Sequence, residues 1–207
     1  DPSVVCEPNT LDITLSAITA GSTNEGTNTY FTDALAVTGF GDPTTVGNGT
    51  YYIVTTTADN CTDTAAVTVT VNAKPVLAIT TPADVCSPGT VDITEVTVTV
   101  GSTDEGTNSY FTDALATTSF GNPTTAGDGT YYILTTTADN CTDTASVTVT
   151  VSAKPVLTIS TPADVCSPNT VDITEVTVTV GSTNEGTNTY FADALATTSL
   201  GNPTTAG

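Results

Sequence analysis

Histidine, methionine, tryptophan and arginine are missing from all 207 residues, and lysine occurs only at Lys74 and Lys154. Without histidine the chain lacks the side chain that most often serves as a general base near neutral pH, and the commonest nitrogen ligand for zinc. Two basic residues against 22 acidic ones give a net charge of −20. Such a surface cannot neutralise phosphates, which excludes nucleic acid and anionic membrane surfaces as partners. No apolar run approaches the roughly 20 residues that cross a bilayer, so direct membrane insertion is not expected. The opening Asp1-Pro2-Ser3 is no signal peptide, so a leader has been removed or the chain is an internal piece of something longer.

What is present is threonine, at 52 positions, and repetition. Laid on itself so that Asp1 meets Thr81, the sequence matches at 57 places between 1–80 and 81–160, and at 42 of 47 between 81–127 and 161–207. VCEPNT, VCSPGT and VCSPNT begin at Val5, Val85 and Val165, and YFTDALA at Tyr30 returns at Tyr110 and, as YFADALA, at Tyr190. Similarity this high between neighbours means tandem duplication of one unit. The boundaries predicted are a first repeat at 1–74 lacking its first strand, a complete second at 75–154, and a third at 155–207 lacking its C-terminal part. The third copy stops at Gly207, aligned with Gly127, so the sequence reads as a window cut from a longer chain.

Within a repeat the dominant period is two. Val147, Val149 and Val151 alternate with Ser146, Thr148 and Thr150, the pattern of a half-buried strand with a wet face. VDITEVTVTVG reads the same way, with a parity flip near Thr94–Glu95 that predicts a bulge or change of strand. GSTDEGTN, GNPTTAGDG and ADNCTD are turn signals rich in Gly, Pro, Asn and Asp. Six or seven short strands in each repeat predict an all-β chain of tandem immunoglobulin-like antiparallel sandwiches, about 80 residues apiece. Tyr131 in GDGTYYI is placed as a tyrosine corner, and Phe111 in the central core position.

Cys6 and Cys61 recur at the same separation as Cys86 and Cys141, while Cys166 has no mate in view. One pair per unit at fixed spacing predicts one disulfide in each repeat, Cys6–Cys61 and Cys86–Cys141, with the partner of Cys166 outside the chain. A catalytic thiol would need a base, and zinc would need more ligands than two cysteines per repeat. The disulfides point to an oxidising compartment outside the cytoplasm. No catalytic residue is identified, and the chain is read as not an enzyme.

The acidic turns are the remaining candidates for a site. Asp59 and Asp63, repeated as Asp139 and Asp143, offer oxygens to calcium, the one cofactor to be weighed, but neither spacing matches a known calcium loop. A solvated turn is the better account of them. Lys74 and Lys154 in AKPVL fit a semi-rigid junction between repeats better than a Lys–Asn isopeptide crosslink.

Taken together, CSPGTVDIT, AGSTNEGTNTYFTDALA, NPTTAGDGTYYI, NCTDTASVTVTV and AKPVL resemble the immunoglobulin-like tandem repeats of giant cell-surface adhesins from Bacteroidota, the gliding-motility adhesin among them. Phe31, Phe111 and Phe191 stand where that group often has Trp. The resemblance implies a glycoprotein filament exported by type IX secretion and displayed at the cell surface. It implies a stalk whose partners are further repeats of the same chain, neighbouring filaments, and surface glycans or other cells met by a distal tip. It supplies no catalytic residues. Thr64 and Thr144, in Asp-Thr-Ala, match the short O-glycosylation signal of that phylum. The rival readings are a subunit of a strand-exchanged polymer and a calcium- or carbohydrate-binding module.

Overall fold

The structure is a computed structural model that describes residues 5–205; positions 1–4 and 206–207, with the Asp1-Pro2-Ser3 opening and Gly207, lie outside the described residues. It is all-β and immunoglobulin-like, built from antiparallel sheets, with two short 3-10 turns and no α-helix among the described residues. The chain divides into two compact units, Asp1–Pro82 with Asp92–Val149, and Ala83–Val91 with Thr150–Gly207.

The first unit holds two copies of one sheet. In the first repeat, β1 is Val5–Cys6, β2 is Thr27–Phe31, β3 is Gly49–Thr56, β4 is Thr62–Val69 and β5 is Val71–Asn72. Strands β2, β3 and β4 form an antiparallel sheet in that order, with Tyr30 opposite Ile53 and Ile53 opposite Ala65. The short β1 runs parallel to β5, Val5 opposite Val71 and Cys6 opposite Asn72. In the second repeat, β7 (Thr107–Phe111), β8 (Gly129–Thr136) and β9 (Thr142–Val149) repeat the sheet, with Tyr110 opposite Ile133 and Ile133 opposite Ala145. The second unit contains β6 (Val85–Cys86) and β10 (Val151–Ser152), paired in parallel like β1 and β5.

The alternation of Val and Thr holds on the long strands. Val67 and Val69 on β4, and Val147 and Val149 on β9, are buried while the threonines between them face water. Val67 and Val69 meet Ile13, Val46 and Ile53 in the first repeat; Ile93, Ala126 and Ile133 are buried at the matching positions of the second. Removing each of the larger side chains from water contributes about 2 kcal/mol. Thr135 is also buried on β8, and its hydroxyl is satisfied by accepting the Gly106 N–H at 2.9 Å.

Two expectations about elements are corrected. VTVTV at Val96–Val100 is not a strand but a run of turns, in which Val98 N–H donates to the Glu95 carbonyl and Ser102 N–H to that of Thr99. Val98 is buried, whereas Val96 and Val100 are 76% and 61% exposed. Just upstream, Asp92 accepts both the N–H and the hydroxyl of Thr94, a local bond that competes with a strand ladder. Phe111 is not the central core residue. It ends β7 half-buried opposite Tyr132, and Ile93 and Ile133 hold the centre at 0% exposure. The tyrosine corner is present: Tyr131 donates to the Gly127 carbonyl at 3.2 Å, and Tyr51 does the same to Gly47.

Candidate functional site

The residues that carry chemistry in this chain meet at the junction of the first and second repeats, inside the first unit. ADNCTDT forms the hairpin turn between the two long strands. Asn60 and Asn140 take a left-handed conformation, φ 61° in both, which asparagine tolerates well. Thr57 N–H donates to the Cys61 carbonyl, and Thr137 N–H to that of Cys141. The turn thus sets Cys61 and Cys141 at one end of their sheets.

VCxPxT lies at the other end. Cys6 pairs with Asn72 on β5, ten positions along the chain from Thr62 at the start of β4. At about 3.3 Å per residue, that places Cys6 and Cys61 about 30 Å apart along the strand direction. A disulfide needs Cα atoms within about 7 Å, so the expected Cys6–Cys61 bond cannot form within the repeat. Instead Cys6 bonds Cys141 of the following repeat, with a Cα separation of 5.6 Å across 135 positions. Cys86 is correspondingly not bonded to Cys141. Cys61, Cys86 and Cys166 are free and exposed.

Two further contacts close the same junction. Lys74 Nζ lies 2.8 Å from Asp143 Oδ1, and Asp143 Oδ2 accepts the Leu77 N–H at 2.9 Å. Burial pushes the Asp143 carboxyl upward, but its bonds to Lys74 and Leu77 outweigh that effect and hold it below the ordinary value. The segment after Lys74 then lies along the second repeat. Val76 bridges Thr103, Ala78 N–H donates to Ser102 Oγ at 2.9 Å, and Thr80 N–H donates to the Val98 carbonyl at 2.8 Å. Leu77, within that segment, is buried. The lysine of AKPVL is therefore an anchor, paired ionically with an aspartate.

That aspartate was one of the four calcium candidates. Asp143 is committed to Lys74 and Leu77, and among the described residues no three Asp, Glu, His or Cys side chains converge, so Asp59, Asp63 and Asp139 belong to no such group. In GSTDEGTN, Glu105 Oε1 accepts the Asn108 amide at 2.6 Å, and Asp104 sits at φ 52°, with Asn24 and Asn184 left-handed at the same place. Asn and Asp interchange there because both tolerate left-handed backbone. Thr64 and Thr144, the glycosylation candidates, lie on β4 and β9, and both are exposed.

Sequence reasoning missed the partnership of Lys74 with Asp143. One signal was present: a chain almost stripped of cations keeps a lysine at the same place in both complete junctions. The aspartate in YFTDALA was missed as well. Asp33 accepts the N–H groups of Leu35, Val37 and Thr38, and Asp113 and Asp193 repeat this arrangement. Its carboxylate builds the turn and is consumed by it.

No protein-family model matches the chain, and no curated protein matches it. Among solved structures, extracellular domains 3–5 of Drosophila OTK are similar at 10% identity and a TM-score of 0.34, covering 61% of this chain and 51% of that one.

Proposed function

We propose that the chain is a structural stalk segment of a long extracellular surface adhesin, made of immunoglobulin-like repeats divided near Lys74 and Lys154. Its work on this reading is mechanical, with no catalysis, and its partners are further repeats of the same chain. The observation that carries it is the Cys6–Cys141 bond, which ties one repeat to the next. A disulfide inside a repeat protects that repeat alone, whereas one across a junction resists bending and separation. Lys74 and Asp143 reinforce the same joint. The oxidising compartment follows from the disulfide, and surface display, attachment through a distal tip, type IX export, gliding and glycosylation at Thr64 and Thr144 follow from the sequence resemblance, all as parts of this proposal. A surface of −20 charge also keeps neighbouring fibres apart.

Pulling single molecules from their two ends tests this. The bond hides the 135-residue separation from extension. Adding reductant should lengthen the fully unfolded chain by about 470 Å, at about 3.5 Å per residue. An unchanged length, or a gain of only about 190 Å as a Cys6–Cys61 loop would release, would return the bond to the interior of a repeat and remove the support for a stapled joint.

A further inference from the structure

Oxidation of this chain before it folds would join the wrong cysteines. In a disordered chain the chance that two thiols meet falls with about the three-halves power of the number of residues between them. Cys61 stands 55 positions from Cys6, and Cys141 stands 135. The Cys6–Cys61 loop therefore closes about fourfold more readily than the Cys6–Cys141 loop. Cys61 and Cys86, only 25 positions apart, meet about twelvefold more readily than Cys6 and Cys141. These odds are set by the order of cysteines along the chain, and further repeats on either side add competitors.

The folded junction reverses those odds without covalent help. Val5 and Cys6 of β1 pair with Val71 and Asn72 of β5, and Glu7 N–H donates to the Asn72 carbonyl at 2.9 Å. Two positions beyond Asn72, Lys74 Nζ lies 2.8 Å from Asp143 Oδ1, and Asp143 is two positions beyond Cys141. The segment after Lys74 is fastened by the bridge from Val76 to Thr103 and by Thr80 N–H on the Val98 carbonyl. Buried Leu77 lies between them, its N–H on Asp143. Every one of these contacts is noncovalent, and together they run from Cys6 to Cys141 without a break. They bring together that pair, whose Cα atoms stand 5.6 Å apart, while the length of the sheet keeps Cys61 about 30 Å from Cys6.

We propose that this seat is a template: the repeats fold and the AKPVL segment docks while the thiols are reduced, and the Cys6–Cys141 bond is made afterwards. The proposal rests on the same bond that carries the stalk reading. The reaction that supplies the finished joint is thus thiol–disulfide exchange on a folded chain, and a chain oxidised earlier passes through disulfide isomerisation to reach it. Cys141 is fully buried and Cys6 half-buried, so Cys6 is the first to attack a small oxidised disulfide such as glutathione. Cys6 loses its proton, its sulfur joins one glutathione, and the other leaves as a thiol. Cys141, deprotonated in turn, attacks the Cys6 sulfur and releases the second glutathione as a thiol. Repair of a Cys6–Cys61 bond needs no oxidant, because the Cys141 thiolate bonds the Cys6 sulfur and Cys61 leaves as a thiolate.

The test uses the whole chain, reduced, and divides it in two before oxidised glutathione is added. One half is folded first and the other is oxidised in concentrated urea. Both are quenched with acid, and their disulfides are mapped after cleavage at acidic residues. The folded half should give Cys6–Cys141 and no Cys6–Cys61. The unfolded half should favour Cys6–Cys61 over Cys6–Cys141 by about fourfold, and recover Cys6–Cys141 only when urea is removed in the presence of reduced glutathione. In the folded half, Leu77→Asp should slow Cys6–Cys141 formation at least about tenfold by putting a charge into the seat, and Lys74→Gln about threefold. Neither should alter the ratio found in urea. The Lys74 side chain is 45% exposed, so its replacement spares the packing of both repeats. Unchanged rates in both variants, or Cys6–Cys141 prevailing in urea as it does in the folded half, would overturn the template and leave the stalk reading standing. Cys6–Cys61 in place of Cys6–Cys141 in the folded half would overturn both.

Discussion

Single residues in this chain are held by backbone geometry more than by side-chain packing, and the glycines of GSTDEGTN show it. A Cβ built on Gly106 would sit 1.9 Å from the Thr136 carbonyl oxygen, and one on Gly26 the same distance from that of Thr56. The clash is with backbone in a paired strand, which cannot step aside. At Gly186 nothing lies within 4 Å. Gly106→Ala should therefore cost about 3 kcal/mol in chemical denaturation, and Gly186→Ala less than about 0.5 kcal/mol. Equal midpoints for the two variants would show that the close approach of Gly106 to β8 is relaxed in solution. The sequence announced a turn at each of these places but not which glycine was sterically required, because that depends on a strand remote along the chain.

At the scale of elements, the aspartate-centred turn of YFTDALA is the most regular feature of all three repeats. Asp33, Asp113 and Asp193 each gather backbone N–H groups, chiefly those of Thr38, Thr118 and Thr197 respectively, which hold their carboxyls below the ordinary 3.8, Asp193 at about 2. The ionised form is the one the turn favours. Stability from these contacts is therefore complete above about pH 4 and is lost as pH falls through the lowered folded values. Amide chemical shifts of Thr38, Thr118 and Thr198 followed through an acid titration should move with midpoints below 3.8, and near 2 for Thr198. Midpoints at the ordinary value or higher would mean that the carboxylates do not organise the turns. The same local chemistry explains what the two-residue period could and could not reveal. It located β4 and β9, where Val and Thr alternate across a paired strand. It misplaced VTVTV, because a pattern of alternating side chains carries no information about whether the backbone finds a neighbouring strand or folds onto itself. The Asp92–Thr94 contact sits at the head of that run, too short in range to register as a period.

Across the molecule, tandem repetition itself hides the disulfide. Cys141, the true partner of Cys6, stands one repeat beyond the expected Cys61, so every cysteine that fits a partner in its own repeat fits one in the next equally well. Only strand length breaks the tie, since it sets the two cysteines of a repeat at opposite ends of the sheet. The same logic separates Asp143 from Asp63, which are identical in sequence surroundings and differ in what the fold brings to them. Asp143 holds Lys74, whose side chain is 45% exposed, and the Leu77 N–H; no such contact is seen at Asp63 among the described residues. A partly exposed ion pair contributes under about 1 kcal/mol, and the charged hydrogen bond to backbone about another 1–2 kcal/mol. Asp143→Ala should thus lower stability by about 2 kcal/mol and release the Leu77 amide to hydrogen exchange. Asp63→Ala should change neither quantity measurably. If both substitutions had the same effect, the aspartate would be serving its own hairpin, and the junction would rest on the disulfide and the seated strand alone.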